Sequence, residues 1–351
     1  MRAAELEKAA ELAARHAAAA DERRSLSPEV AESLVAAGFA RHFVPAAHGG
    51  TDGGATALLA MAELVGRGCT SAAWCGALTA GAARMGVYLP ERGQAELWAG
   101  GPDTVVAGAL VPRGRAEAVE GGWSLTGEWP VTSAVDHADW ALVAAEPGPM
   151  FLAVPRSAWW VRDTWHTAGM RGSGSNTLVL PNPVFVPAHR AFERAAMLRG
   201  AAVGSTSPSH TAPLRAISGV LFAAAALGGA RGAVAAWADG VADTPGARRA
   251  LAEATTAVDA AEMLLRSVAE SCDAPVGDPT AVGRNPHRCA VAVGMLVDAV
   301  ERLVRAAGFR AQDAAHPLQR FWRDLHTLAG HVALRTDTAA DAYGAHLLAT
   351  P

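Results

Sequence analysis

The periodicity of this chain changes twice, and that order constrains the fold more than any single residue does. Residues 1 to about 100 are Ala-rich and repeat apolar side chains at helical spacing through Glu5–Arg23, Pro28–Ala37, Ala55–Arg67, Ser71–Val87 and Glu91–Ala99. Ser27 reads as an N-cap with Pro28 at the first helical position. A Pro/Gly loop over 44–54 separates the second helix from the third. From Thr104 to about Pro187 the pattern becomes strand alternation between Gly and Pro turns, in Gly122–Trp129, Asp139–Ala144, Met150–Val154 and Thr177–Val186. Seven of the ten tryptophans lie between Trp98 and Trp165, in or beside this stretch. After a Pro/Ser/Gly-rich linker, Gly200–Pro213, the helical pattern returns at Leu214 and is broken again only at Ala274–Pro286. The expectation is an α+β protein: an N-terminal helical domain (1–103), a middle antiparallel β domain (104–199) and a C-terminal helical bundle (214–351).

Composition narrows the function classes. Hydrophobic residues make up 51% of the 351 and charged residues 18%, so the chain is expected to bury surface between subunits as well as between domains. A net charge of −4 gives no basic footprint for nucleic acid. Apolar runs such as Gly219–Leu227 are too short to span a bilayer, and the N-terminus has no apolar signal core. The four cysteines, Cys69, Cys75, Cys272 and Cys289, are spread without a CxxC pair. They read as reduced, buried thiols in a cytoplasmic protein.

The C-terminal segment 318–331 carries the densest chemistry. On a helix of about 3.6 residues per turn, Phe321, Leu325, Leu328 and Val332 form an apolar stripe, and Arg320, Asp324, Thr327 and His331 a polar one. Buried polar groups need partners, so the second stripe implies an ion-pair network, a site, or both. His326 and His331 lie about 140° apart around such a helix and cannot share a metal as an i,i+4 pair does. No metal site is expected.

Six local motifs occur in the order found in one family. Val44-Pro-Ala-Ala-His-Gly-Gly50 resembles its proline–glycine loop, and Thr70-Ser-Ala-Ala-Trp74 its Ser-Ala-Trp helix start. Gly127-Glu-Trp-Pro-Val-Thr-Ser-Ala-Val-Asp-His-Ala-Asp-Trp140 resembles a G-x-W-x-x-x-S-G-x-x-H-x-x-W strand pair. Asp163–Ser175 resembles a W-x-x-x-G-M-R-G-T-G-S turn, and Gly229–Ala233 with Arg323–His331 completes the set. The chain thus resembles the acyl-CoA dehydrogenase fold, and within it the oxygenase components of two-component flavin-dependent monooxygenases.

That resemblance implies an enzyme that takes reduced FAD or FMN from an NAD(P)H:flavin reductase. With O2 it would oxygenate a small aromatic, polyketide or amine substrate through a C4a-(hydro)peroxide. It implies Ser133 at flavin N5 and His331 at the oxygen adduct, with Trp129, Thr132 and Trp140 as flavin walls and Arg231 as a phosphate contact. Trp74 and His326 are the substrate-side candidates. The alternative for Ser133 is a turn cap. For His331 it is a structural network with Asp324, and for Arg231 an interhelix or intersubunit salt bridge; core packing equally explains the tryptophans. The turn at Arg171, Ser173 and Ser175 reads as structural.

Two departures bear on the substrate. Thr79–Arg84 lacks the histidine that relatives often place there, and Ala134 stands where a glycine is usual. The stretch around Asp239–Gly246 is also shorter than in relatives. Two other functions keep the same fold. An acyl-CoA dehydrogenase needs a carboxylate base; Ala342-Tyr343-Gly344 offers none, leaving Glu253, Glu262 and Glu270 as candidates. A non-catalytic subunit would have no use for Ser133, Arg231 and His331.

Overall fold

The computed structural model of the protein describes residues 3–349. Five helices come first: α1 (Ala3–Arg23), α2 (Pro28–Ala36), α3 (Ala55–Gly66), α4 (Thr70–Met85) and α5 (Glu91–Leu97). Seven strands follow: β1 (Val106–Val119), β2 (Gly122–Thr132), β3 (Trp140–Glu146), β4 (Met150–Pro155), β5 (Trp160–Arg162), β6 (Asn176–Pro187) and β7 (Ala191–Glu193). Two short helices, α6 (Arg194–Arg199) and α7 (Pro208–Thr211), lead to α8 (Leu214–Ala238), α9 (Pro245–Asp273), α10 (Ala281–Ala307), α11 (Pro317–Ala329) and α12 (Thr336–Ala349).

Local chemistry explains several boundaries. Ser27 caps α2 by accepting from the Val30 N–H. Gly54 precedes α3 and has no side chain to do the same. Asp273, at the far end of α9, accepts from the Ala55 N–H at 2.6 Å and the Thr56 N–H at 2.9 Å, so a carboxylate distant in sequence caps α3 and ties the two helical regions together. Helix α8 is apolar on every side, the signature of a core helix. By length and composition it could cross a membrane, yet 83% of its most apolar window is buried against α3, α4, α9, α10 and α11. Residues from α1–α4 and from α8–α11 share one core around it.

The sheet order is β5-β6-β2-β1-β3-β4-β7. The expected antiparallel domain needs one correction, because β1 and β3 run parallel; the other neighbours are antiparallel. The β1–β2 hairpin leaves from one edge of β1. The chain then turns through 133–139 and lays β3 along the other edge in the same direction as β1. The helical break before α10 is also shorter than expected, because Pro286 lies inside α10.

The stretch 200–213 is pinned instead of acting as a free linker. Buried Arg84 donates to the Ser209 carbonyl at 2.6 Å, to that of His210 at 3.1 Å, and to that of Ala212. Tyr88 donates to the His210 carbonyl at 2.7 Å, and His210 Nε2 lies 2.8 Å from the Phe43 carbonyl. Carbonyl dipoles stand in for the absent carboxylate, as a desolvated guanidinium requires.

Candidate active site

Side chains from α4, α8, the turn after β2, the turn before β6 and the segment after α11 meet at one buried junction. Trp74, on the first turns of α4, donates through Nε1 to Ser133 Oγ at 3.0 Å. The His331 ring lies 5.7 Å from Trp74, edge-on at 71°, and 4.0 Å from Phe222 of α8. Trp74 and Phe222 are 5.4 Å apart, so the three rings form one aromatic corner beside the serine.

The serine belongs to a chain of three hydroxyls. Ser133 Oγ is 2.8 Å from Ser175 Oγ, which is 2.7 Å from Ser173 Oγ. Ser173 donates to the Met170 carbonyl at 2.7 Å. A hydroxyl has one hydrogen and two lone pairs, so this last bond sets the direction of the others. With its hydrogen committed, Ser173 accepts from Ser175, and Ser175 must accept from Ser133. Ser133 therefore spends its hydrogen on Ser175 and one lone pair on Trp74. A single lone pair remains, and toward any ligand Ser133 is an acceptor.

The turn carrying Ser173 and Ser175 is clamped to the C-terminal helices. A Cβ on Gly169 would sit 2.0 Å from the Arg323 carbonyl, so only glycine lets the turn approach α11 this closely. Met170 has φ +54°, and its N–H donates to Asp324 Oδ1 at 2.6 Å. Burial is the main force raising the Asp324 pKa, to about 7, against this hydrogen bond and nearby Arg320 and Arg323. Arg171 donates to the carbonyls of Asp21 and Thr167 at 2.8 and 3.2 Å, a structural task as expected.

His331 is not on the α11 stripe. The helix ends at Ala329, and His331 has extended backbone with φ −66° and ψ 135°. Its Nδ1 accepts from the Ala333 N–H at 3.2 Å, which leaves the proton of the neutral ring on Nε2. Burial lowers its pKa to about 4, so His331 is neutral near pH 7 and offers an Nε2–H donor. The same chain turn exposes Val332, expected on the apolar stripe, to 68%. Asp324 meets Met170 and not His331, so the two were wrongly aligned by helical periodicity.

The remaining candidates lie elsewhere. Trp129 is in the sheet core, its Nε1 donating to the Ala144 carbonyl at 2.7 Å; a Cβ on Gly114 would come within 2.2 Å of its ring, so that glycine makes room for it. Thr132 is fully buried and donates to the Trp129 carbonyl at 2.9 Å. Trp140 lies beneath the Arg190 guanidinium, 5.0 Å from its ring centre. His326 is exposed, 3.3 Å from Glu301 and edge-on to Trp322. Arg231 sits among Glu63 (2.8 Å), Asp259 (3.4 Å) and Glu262, the interhelix arrangement, with its charge already matched by α3 and α9. Phe222 is the site residue that the sequence reading passed over; its one signal is a lone aromatic in the Ala/Leu/Gly run of α8.

Residues 2–94 match the family model for the acyl-CoA dehydrogenase N-terminal domain, and residues 220–336 that for the C-terminal domain. The chain is 31% identical to the oxygenase component of an FADH2-dependent resorcinol hydroxylase from Rhizobium sp. (strain MTP-10005), covering 87% of this chain and 83% of that protein. It superposes on 3-HSA hydroxylase from Rhodococcus sp. RHA1 with a TM-score of 0.94 at 25% identity, over 99% of this chain and 96% of the other. The TM-score to XiaF from Streptomyces sp., solved with FADH2 and glycerol, is 0.91 at 25% identity, again over 99% and 96%. On this evidence the chain belongs to the oxygenase components of the two-component flavin-dependent monooxygenases, built on the acyl-CoA dehydrogenase fold.

Proposed function

We propose that this oxygenase hydroxylates a small aromatic substrate at the junction of Trp74, Ser133, Phe222 and His331, with Ser133 and His331 as the catalytic pair. As an oxygenase component it takes its reduced flavin from a separate reductase and acts on a small molecule. When bound, reduced flavin supplies the electrons with which dioxygen delivers one oxygen atom to the substrate and the other to water.

The observation that carries the reading is the polarity of the junction. N5 of the isoalloxazine ring is an acceptor when oxidised and an N–H donor when reduced. Ser133 retains only a lone pair, which fits the reduced ring. His331 contributes the opposite polarity, a neutral Nε2–H, beside apolar rings that exclude water. A donor of this kind hydrogen-bonds a reacting oxygen and can hold or pass a proton there. The named aromatic hydroxylases among the relatives support an aromatic substrate. The carboxylates that a dehydrogenase would need are placed otherwise: Glu253 pairs with Arg302, Glu262 with Arg231 and Arg266, and Glu270 is exposed.

The surface and the thiols support a reading of subunit contacts and compartment. Met263, Val276, Phe309 and Leu348 are between 72% and 92% exposed on the C-terminal bundle, which supports a homodimer or homotetramer. All four cysteines are free and buried, which suits the cytoplasm.

The test is to mix the protein anaerobically with reduced FAD or FMN, add oxygen and a panel of monocyclic phenols, and quantify hydroxylated product against hydrogen peroxide. We expect product in the wild type. In His331→Ala we expect flavin binding to persist while the ratio of product to peroxide falls on the order of 10²-fold. Unchanged coupling in that variant would remove His331 from its assigned role.

A further inference from the structure

Behind the proposed catalytic junction lies a partly open space that the proposed reaction does not use. It is a cavity of about 200 Å³ between α2 and α4, walled by Leu26, Leu34 and Phe39 on one side and by Thr79, Ala134 and His137 on the other. Two of its wall residues, Cys75 and Ala134, directly follow Trp74 and Ser133 in the chain, so one backbone layer separates it from the junction. The α4 faces differ as well: Cys75 and Thr79 share the cavity side, about 100° or more around the helix from Trp74.

The cavity wall contains one unsatisfied polar atom. His137 Nε2 is buried with no hydrogen-bond partner. In the neutral imidazole Nε2 either carries the proton and donates or is bare and accepts, and a hydroxyl can meet it in either state. Burial also lowers the His137 pKa, which keeps the ring neutral near pH 7. A buried polar atom without a partner is costly, so the complementary occupant carries a hydroxyl, which can both donate and accept. Apart from Thr79 and the exposed Glu32, the other walls are apolar and ask for an apolar body. A dry cavity of about 150 Å³ takes one benzene, so this one takes a single ring with one substituent.

We propose that this cavity is a second binding site, for a small phenol whose hydroxyl hydrogen-bonds His137 Nε2 and whose ring lies against Phe39. Bound there, the phenol faces the rear of Ser133–Ala134 and is shielded from oxidation by that backbone layer. Occupancy therefore needs neither flavin nor turnover, and the site stands or falls independently of the reaction assigned to the junction.

The experiment titrates the flavin-free full-length protein with 4-fluorophenol and, separately, with fluorobenzene, following ¹⁹F resonances. The wild type should bind 4-fluorophenol about tenfold more tightly than fluorobenzene, the effect of one hydrogen bond. His137→Leu should erase that preference while still admitting fluorobenzene. Ala31→Phe, which grows into the cavity from half-buried α2, should abolish binding of both, with a thermal melt confirming that the variant folds. Absence of binding to the wild type would overturn the proposal. So would binding undiminished by Ala31→Phe, which would place the ligand in the junction, or a preference for the phenol that survives His137→Leu.

Discussion

The serine junction and the Arg231 cluster are both polar groups sunk into an apolar protein, and they are built oppositely. Around Arg231, charge meets charge: Glu63, Asp259 and Glu262 surround one guanidinium between α3, α8 and α9. The groups bonded directly to Ser133 carry no formal charge; each has neutral partners and some capacity is left over. The junction keeps one lone pair on Ser133 and one N–H on His331. The first design holds helices together and the second can receive a ligand. Both lie along α8, where Arg231 follows Phe222 by nine residues, about 13 Å of helix.

That contrast can be broken from either side. The largest effect should come from Arg231→Ala, which takes the shared partner from two partly buried carboxylates and leaves Glu63 with Arg67 alone and Glu262 with Arg266 alone. We expect a loss of about 2–3 kcal/mol in unfolding free energy, somewhat below the range for fully buried pairs, with reduced-flavin affinity unchanged. If denaturant titration shows no loss while flavin affinity falls, Arg231 is a phosphate ligand after all. Next, Ser175→Ala releases the Ser133 hydrogen, allowing that serine to donate to oxidised N5. The ratio of affinities for reduced and oxidised flavin should then narrow about tenfold; an unchanged ratio would mean that Ser133 does not touch N5.

The pH response sharpens the comparison further. The folded pKa of Asp324 is raised from 3.8 to about 7, so its share of stability is present below pH 4 and lost as pH rises toward 7. His331 is lowered from 6.5 to about 4, so its share is present above pH 6.5 and lost as pH falls toward 4. The two slopes oppose each other. In Asp324→Asn, whose amide oxygen can still accept from Met170, melting temperature should climb from pH 4 to 6.5 more steeply than in the wild type. Equal slopes in both proteins would mean that Asp324 titrates normally. The smallest effect belongs to Ala134→Gly. Ala134 holds φ +56°, a left-handed conformation that disfavours a Cβ. Glycine should raise stability by about 1 kcal/mol, read as a shift in the urea midpoint; a lower midpoint would show that the buried methyl contributes more than the strain.

The two changes in periodicity determined the three-part α+β order, and the six motifs determined the family. Helix starts were equally legible where the signal is local, as at Ser27–Pro28, where a side chain reaches an N–H three residues away. The motifs also singled out Trp74, Ser133 and His331, residues far apart in the chain that the fold brings to one junction. What needed the tertiary structure was every statement about what a side chain faces. Helical periodicity put His331 in line with Asp324, but Gly330 and the capping of Ala333 turned the chain out of the helix. Neither residue's spacing reveals that break. Nor could sequence give the direction of the Ser133–Ser175–Ser173 chain, since a hydroxyl can donate or accept and its role depends on neighbours 42 residues away. Arg231 had two equal readings until the carboxylates of α3 and α9 were seen around it. Local order follows from interactions within a few residues. The polarity of a site depends on which distant groups the packing brings within 3 Å, and only the folded chain decides that.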